Sequence, residues 1–129
     1  MTWDGAAARA ALAATLQAAF DGTNVNVFAS PPATFNPPAL VVQFPQTVAK
    51  HAPTFGIDMA TWTVLGAVSL ELADALDELL NTADAAVMLD RTLGGAVQVS
   101  KTTEVRNWRV LVIGGVEMLT AELALETRM

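Results

Sequence analysis

The dipeptide Gly114-Gly115 constrains this chain more than any other feature, because it sits between the apolar runs Trp108-Arg109-Val110-Leu111-Val112-Ile113 and Val116-Glu117-Met118-Leu119-Thr120-Ala121. Two residues that both accept positive φ, flanked by β-branched and aromatic side chains, predict a tight β-hairpin. A loop of that length sets the register: Ile113 falls opposite Val116, Leu111 opposite Met118 and Arg109 opposite Thr120. Alternation then sorts the side chains. One face carries Trp108, Val110, Leu119 and Ala121, continued by Leu123 and Leu125, and is expected to meet helices. The other carries Leu111, Ile113, Val116 and Met118 near the turn, with Thr120, Glu122 and Glu126 farther along. A one-layer sandwich would be polar on its open face, so this second apolar set requires a cover, either another strand or helix of the chain or another subunit.

The remaining segments supply helices and further strands. Asp4 is a candidate N-cap for an Ala-rich helix ending near Phe20, before Asp21-Gly22, with Ala8, Leu12, Leu16 and Phe20 as its apolar stripe. Residues 24–28 and 40–44 read as strands on either side of a connector in which Pro31-Pro32 and Pro37-Pro38 fix φ and withhold donors from a ladder. The stretch 45–56 has no clear period. Residues 59–68 predict a third strand, after which Ser69 is placed to cap a second helix. That helix would bury Leu72, Leu76, Leu79 and Leu80 and expose Glu71, Asp74, Asp77 and Glu78. After Asn81-Thr82 a further helical piece is expected over 83–91, ended by Leu93-Gly94-Gly95. Residues 97–100 then open a meander with a turn near Arg106-Asn107. The expected class is α+β in one domain spanning 1–129: a single mixed or antiparallel sheet of about five to six strands, with the N-terminal helix and a central helical pair packed on one face.

A chain of 129 residues that is 53% hydrophobic has enough apolar material for one core. Its net charge of −6 is the wrong sign for gripping phosphate backbones. The absence of Cys excludes disulfides, thiolate metal sites and cysteine nucleophiles, and with one His and no Tyr the catalytic inventory is thin. His51 stands next to Lys50 in the 45–56 loop with no adjacent Asp, Glu or second His, and reads as an exposed loop residue. Glu71, Asp74, Asp77 and Glu78 would have to converge in a cleft to act as an acid-base pair or hold a cation. A solvated helix face, or a surface toward an assembly channel or partner, is the simpler reading. No GxGxxG, P-loop, HExxH or GxSxG motif occurs. Trp3, Trp62 and Trp108 read as core or interface anchors, and Arg106 and Arg109 suit salt bridges within or between subunits. No catalytic, cofactor-binding or metal-ligating residue is assigned. No run reaches the roughly 18 apolar residues of a membrane helix and no signal-peptide pattern opens the chain, which therefore reads as soluble and unexported.

The order of segments is an Ala/Leu helix, a short strand, Ser30-Pro31-Pro32 leading to Asn36-Pro37-Pro38-Ala39-Leu40-Val41-Val42, a Leu/Asp-rich helix, Leu93-Gly94-Gly95-Ala96-Val97, and Gly115-Val116-Glu117-Met118-Leu119-Thr120-Ala121-Glu122-Leu123. This resembles the small tail terminator and head-to-tail connector (tail completion) proteins of long-tailed bacteriophages, particularly those of actinobacterial hosts. The likeness spans nearly the whole chain and lies in structural turns and strands, not in a catalytic signature. It implies a ring-forming α+β virion protein, expected as a homohexamer, that is assembled in the host cytoplasm, caps the tail tube and joins it to the head connector in the neck. DNA would pass through the lumen, and no reaction is catalysed. The implied partners are further copies of the chain, the tail tube protein and the connector proteins, with no membrane and no sequence-specific nucleic acid. In that setting Arg109, Leu111, Ile113, Val116 and Met118 of the hairpin and Lys50 and His51 of the loop are the expected interface. Glu71, Asp74, Asp77 and Glu78 would form an acidic lumen or partner face. A head-side connector of the same neck is the runner-up. From another class, a small α+β enzyme or ligand-binding domain would use the acidic helix and Arg109 around a pocket.

Overall fold

Asp4 starts the first helix as the sequence predicts: its Oδ1 accepts a hydrogen bond from the Ala7 amide at 3.1 Å, satisfying one of the free donors at the helix start. The computed structural model describes residues 4–50 and 58–128. In chain order these form α1 (Gly5–Ala19), β1 (Asn26–Phe28), β2 (Ala39–Val42), β3 (Thr47–Ala49) and β4 (Met59–Ser69). A 3-10 turn (Leu70–Leu72), α2 (Ala75–Leu89), β5 (Val99–Ile113) and β6 (Val116–Arg128) follow. The fold is α+β, as expected.

The strands make one mixed sheet in the order β1-β2-β4-β6-β5, with β3 pairing β4. Only β1 and β2 run parallel among these pairs; the others are antiparallel. Both helices lie on one face. Ala8, Leu12 and Leu16 of α1 and Leu76, Leu80, Ala83 and Val87 of α2 close over Leu40, Val42, Trp62, Val64, Leu123 and Leu125. These are alternate residues of β2, β4 and β6, so the period of two in the sheet meets the helical period in one core.

The second face is buried as well. Ala39, Val41, Leu65, Ala67, Met118, Thr120 and Ala124 are at most 4% exposed. Part of the cover is the proline-rich connector between β1 and β2, which belongs to no strand or helix. Phe28, paired with Val41 and so on this face, holds Phe35 with ring centroids 6.0 Å apart. Thr34 reaches the far tip of the sheet, where its Cγ2 lies 2.9 Å from the position a Cβ would take on Gly114. A connection from β1 back to the start of the parallel β2 has to cross the sheet, and this one crosses on the side away from the helices.

Four local expectations are corrected. The second helix does not start at Ser69 and break at Asn81-Thr82; α2 runs unbroken through that dipeptide, and Leu72 is exposed. Arg106-Asn107 is no turn between strands but a bulge inside β5, with Asn107 at φ 59°. Part of the stretch expected to lack strand is β3. The second strand stops at Val42, and Phe44 stands exposed beneath the Arg9 guanidinium, 4.5 Å from its ring centroid.

Candidate functional site

The hairpin has the register that its turn predicts. Ile113 pairs Val116, Leu111 pairs Met118 and Arg109 pairs Thr120. Gly114 and Gly115 take φ of 60° and 80°, the positive values a two-residue turn with the strand's own twist requires. Farther from the turn, β5 departs from β6 twice, between Thr102 and Glu104 and between Arg106 and Arg109. At the second bulge two residues, Asn107 and Trp108, stand where β6 supplies only Ala121.

That bulge aims Asn107 at Glu122. Asn107 Nδ2 donates to Glu122 Oε1 at 3.1 Å, and Arg109 Nη2 lies 3.5 Å from Glu122 Oε2. Glu122, expected on an open polar face, is 6% exposed, and this hydrogen bond and ion pair offset the cost of burying its charge. Arg106 donates to Glu104 Oε1 at 3.1 Å and to Gln46 Oε1 at 2.7 Å, tying β5 to the segment before β3. Both arginines therefore make ion pairs within the chain.

The face expected to meet the helices does so along β6, where Leu119, Ala121, Leu123 and Leu125 join the core, but not along the tip of β5. Met118 is fully buried and cannot meet a partner, whereas Leu111 and Ile113 are half-buried and Val116 and Arg109 remain exposed. On the other face Trp108 and Val110, expected against the helices, are 49% and 52% exposed, and Val112 is 64% exposed. Leu119, opposite Val110, still packs against the core, so near the turn the helical layer stops at β6 and leaves this row of β5 uncovered, although α2 reaches β5 at its other end through Asp84 and Thr102. Val112 is not among the residues expected at the interface. The hairpin register itself could have found it, since Val112 falls two residues from Val110 on the same face.

Lys50 and the four acidic residues lie apart from the hairpin. Lys50 Nζ donates to the buried Asp58 carboxylate at 2.7 Å, an ion pair beside the start of β4. His51 lies outside the described residues. Glu71, Asp74, Asp77 and Glu78 are all exposed, and Asp77 and Glu78 fall in the first turn of α2, where the helix dipole favours them. Among the described residues no three His, Asp or Glu side chains are grouped to hold a metal ion. A groove of about 380 Å³ opens between the end of α1 and the start of α2, lined by Phe20, Val25, Pro38, Leu72 and Leu79 with Glu78 at its side. Trp62 is a core anchor, while Trp108 is a surface one.

No family model and no curated protein matches the chain. Among the described residues no helix is long and apolar enough to cross a membrane.

Proposed function

We propose that this protein is a structural subunit of the neck of a long-tailed bacteriophage, a tail terminator that closes as a hexameric ring on the end of the tail tube and presents its other side to the head connector. The observation that carries the reading is the tip of the β5–β6 hairpin, which holds Trp108, Val110 and Val112 beyond the helical layer. A contiguous apolar row on an otherwise acidic chain marks a surface meant for protein. A ring needs two unlike surfaces on each subunit. The hairpin tip with Arg109, Leu111, Ile113 and Val116 is one, and the apolar groove between α1 and α2 is a second. The exposed carboxylates of Glu71, Asp74, Asp77 and Glu78 suit a wall past which DNA slides without being held.

The test is electron microscopy of the purified protein mixed with tail tubes of the same virus. Rings seated at tube ends support the terminator reading. Protein that ignores tubes but decorates isolated head connectors moves it to the head side of the joint, and protein that binds neither rules out the neck.

A further inference from the structure

We infer that the free chain pairs with a second copy of itself along the outer edge of β5, the two strands running antiparallel about a two-fold axis at Val110. β5 ends the sheet order, and among the described residues no strand lies on its outer side. The turn at Gly114-Gly115 closes on Ile113 and Val116 as a hydrogen-bonded pair, so the alternation of an antiparallel ladder makes Leu111–Met118 and Arg109–Thr120 the next bonded pairs. Val110 and Val112 then turn their N–H and C=O groups away from β6, and the C=O of Trp108 follows, since it shares a peptide with the inward N–H of Arg109. The residues with outward backbone groups are thus the same three whose side chains form the exposed row. An edge of that kind is a template for another strand.

Three features select a second copy in one register. First, the regular stretch from Arg109 to Ile113 has Val110 and Val112 facing outward, and Trp108, the last residue of the bulge, closes its lower end, so the row is centred on Val110. A two-fold axis normal to the sheet keeps each residue on its own face. All three therefore meet all three only when Val110 faces Val110 and Trp108 faces Val112, which gives about four backbone hydrogen bonds from Val110, Val112 and the Trp108 carbonyls. Second, Trp108 against Val112 is an aromatic–β-branched pair, a favourable cross-strand combination. Third, the only charge from 108 to 112 is Arg109, which falls opposite Leu111 of the other copy and is already met by its own Glu122. No like charges are opposed. The bulges that would blunt this edge end at Trp108, so the stretch from Arg109 to the turn is left regular.

Such a pair closes on itself and cannot be the contact that repeats around a ring. In the neck reading it is the resting form, in which each hairpin covers the other until a tube end is met. The inference rests on the edge of β5 and not on that reading.

The chain contains no Cys, so an introduced disulfide is unambiguous. Val110→Cys is expected to cross-link two copies on mild oxidation. Trp108→Cys and Val112→Cys are each expected to stay uncrosslinked alone, their equivalents lying about 13 Å apart along the strands, and to cross-link when mixed. In sedimentation velocity the native chain is expected at twice the monomer mass. Val110→Pro, which removes an outward donor and leaves the β6 ladder intact, is expected at the monomer mass with unchanged circular dichroism. Should that variant unfold, Val110→Lys keeps the amide and sets like charges against each other on the axis. A native chain that stays monomeric at its highest soluble concentration overturns the inference. So do equal cross-linking at all three positions and a pair that survives both Val110 variants. A cross-linked pair in a protein that binds neither tubes nor connectors upholds the inference and removes the neck reading.

Discussion

Gly66 sets the distance between sheet and helices by what it lacks. It lies on the helix face of β4, and a Cβ there would come within 2.7 Å of Leu80 Cδ2 and 3.2 Å of Leu76 Cδ1. Gly66→Ala is expected to lower stability by about 1–3 kcal/mol in urea titration, because two leucine ends must shift in a filled core. Met118 makes the opposite point. Its place in the register was legible from the Gly-Gly turn, but its burial was not, because that face is covered in part from far upstream, where Thr34 of the proline-rich connector reaches Gly114. Met118→Glu is expected to cost about 3 kcal/mol or more and to weaken the folded circular-dichroism signal. Val116→Glu, at a residue 40% exposed on the same face, is expected to change stability by about 0.5 kcal/mol or less.

At the scale of elements, α1 is the most local structure in the molecule and its start was readable from Asp4 alone. Asp4→Ala is expected to cost about 1 kcal/mol, seen as a lower urea midpoint. The course of α2 was less readable. Asn81 and Thr82 are weak helix formers, but each costs only a few tenths of a kcal/mol relative to better ones, which the burial of Leu79, Leu80, Ala83 and Val87 outweighs. Asn107 signalled an irregular backbone correctly, since Asn tolerates positive φ; that it bulges instead of turning follows from β6, whose partners continue on both sides of it. The two sides of β5 should also differ in their tolerance of proline. Leu111→Pro removes a bond to β6 and is expected to cost about 1–3 kcal/mol, whereas Val110→Pro should leave the midpoint of the monomer nearly unchanged. Urea titrations of both variants in dilute solution decide this.

For the whole molecule, one sheet carries both helices on one face and the proline-rich connector on the other, so no part has a core of its own. Unfolding is expected to be a single transition, with far-UV circular dichroism and tryptophan fluorescence coinciding and a urea slope of about 1–3 kcal/mol/M. Separate midpoints from the two probes would show that the hairpin or a helix melts independently. Charge is divided at this scale too. From Glu71 to Asp90 the chain carries acids and no base, while Lys101, Arg106 and Arg109 lie along β5.

By themselves, the residues determined the α+β class, the cap and stripe of α1, the hairpin register, the solvated acidic face and the scarcity of catalytic groups. Each of these depends on neighbours a few positions away, where turn geometry and side-chain period act directly. Only the tertiary structure decided which hairpin face is covered. Met118 and Val110 are both apolar side chains on regular strands, and nothing near them in the chain distinguishes them. Their burial depends on where the proline-rich connector crosses the sheet and where the helical layer stops, and both are set by packing between segments distant in sequence. The exposed edge of β5 is therefore a product of the assembled fold.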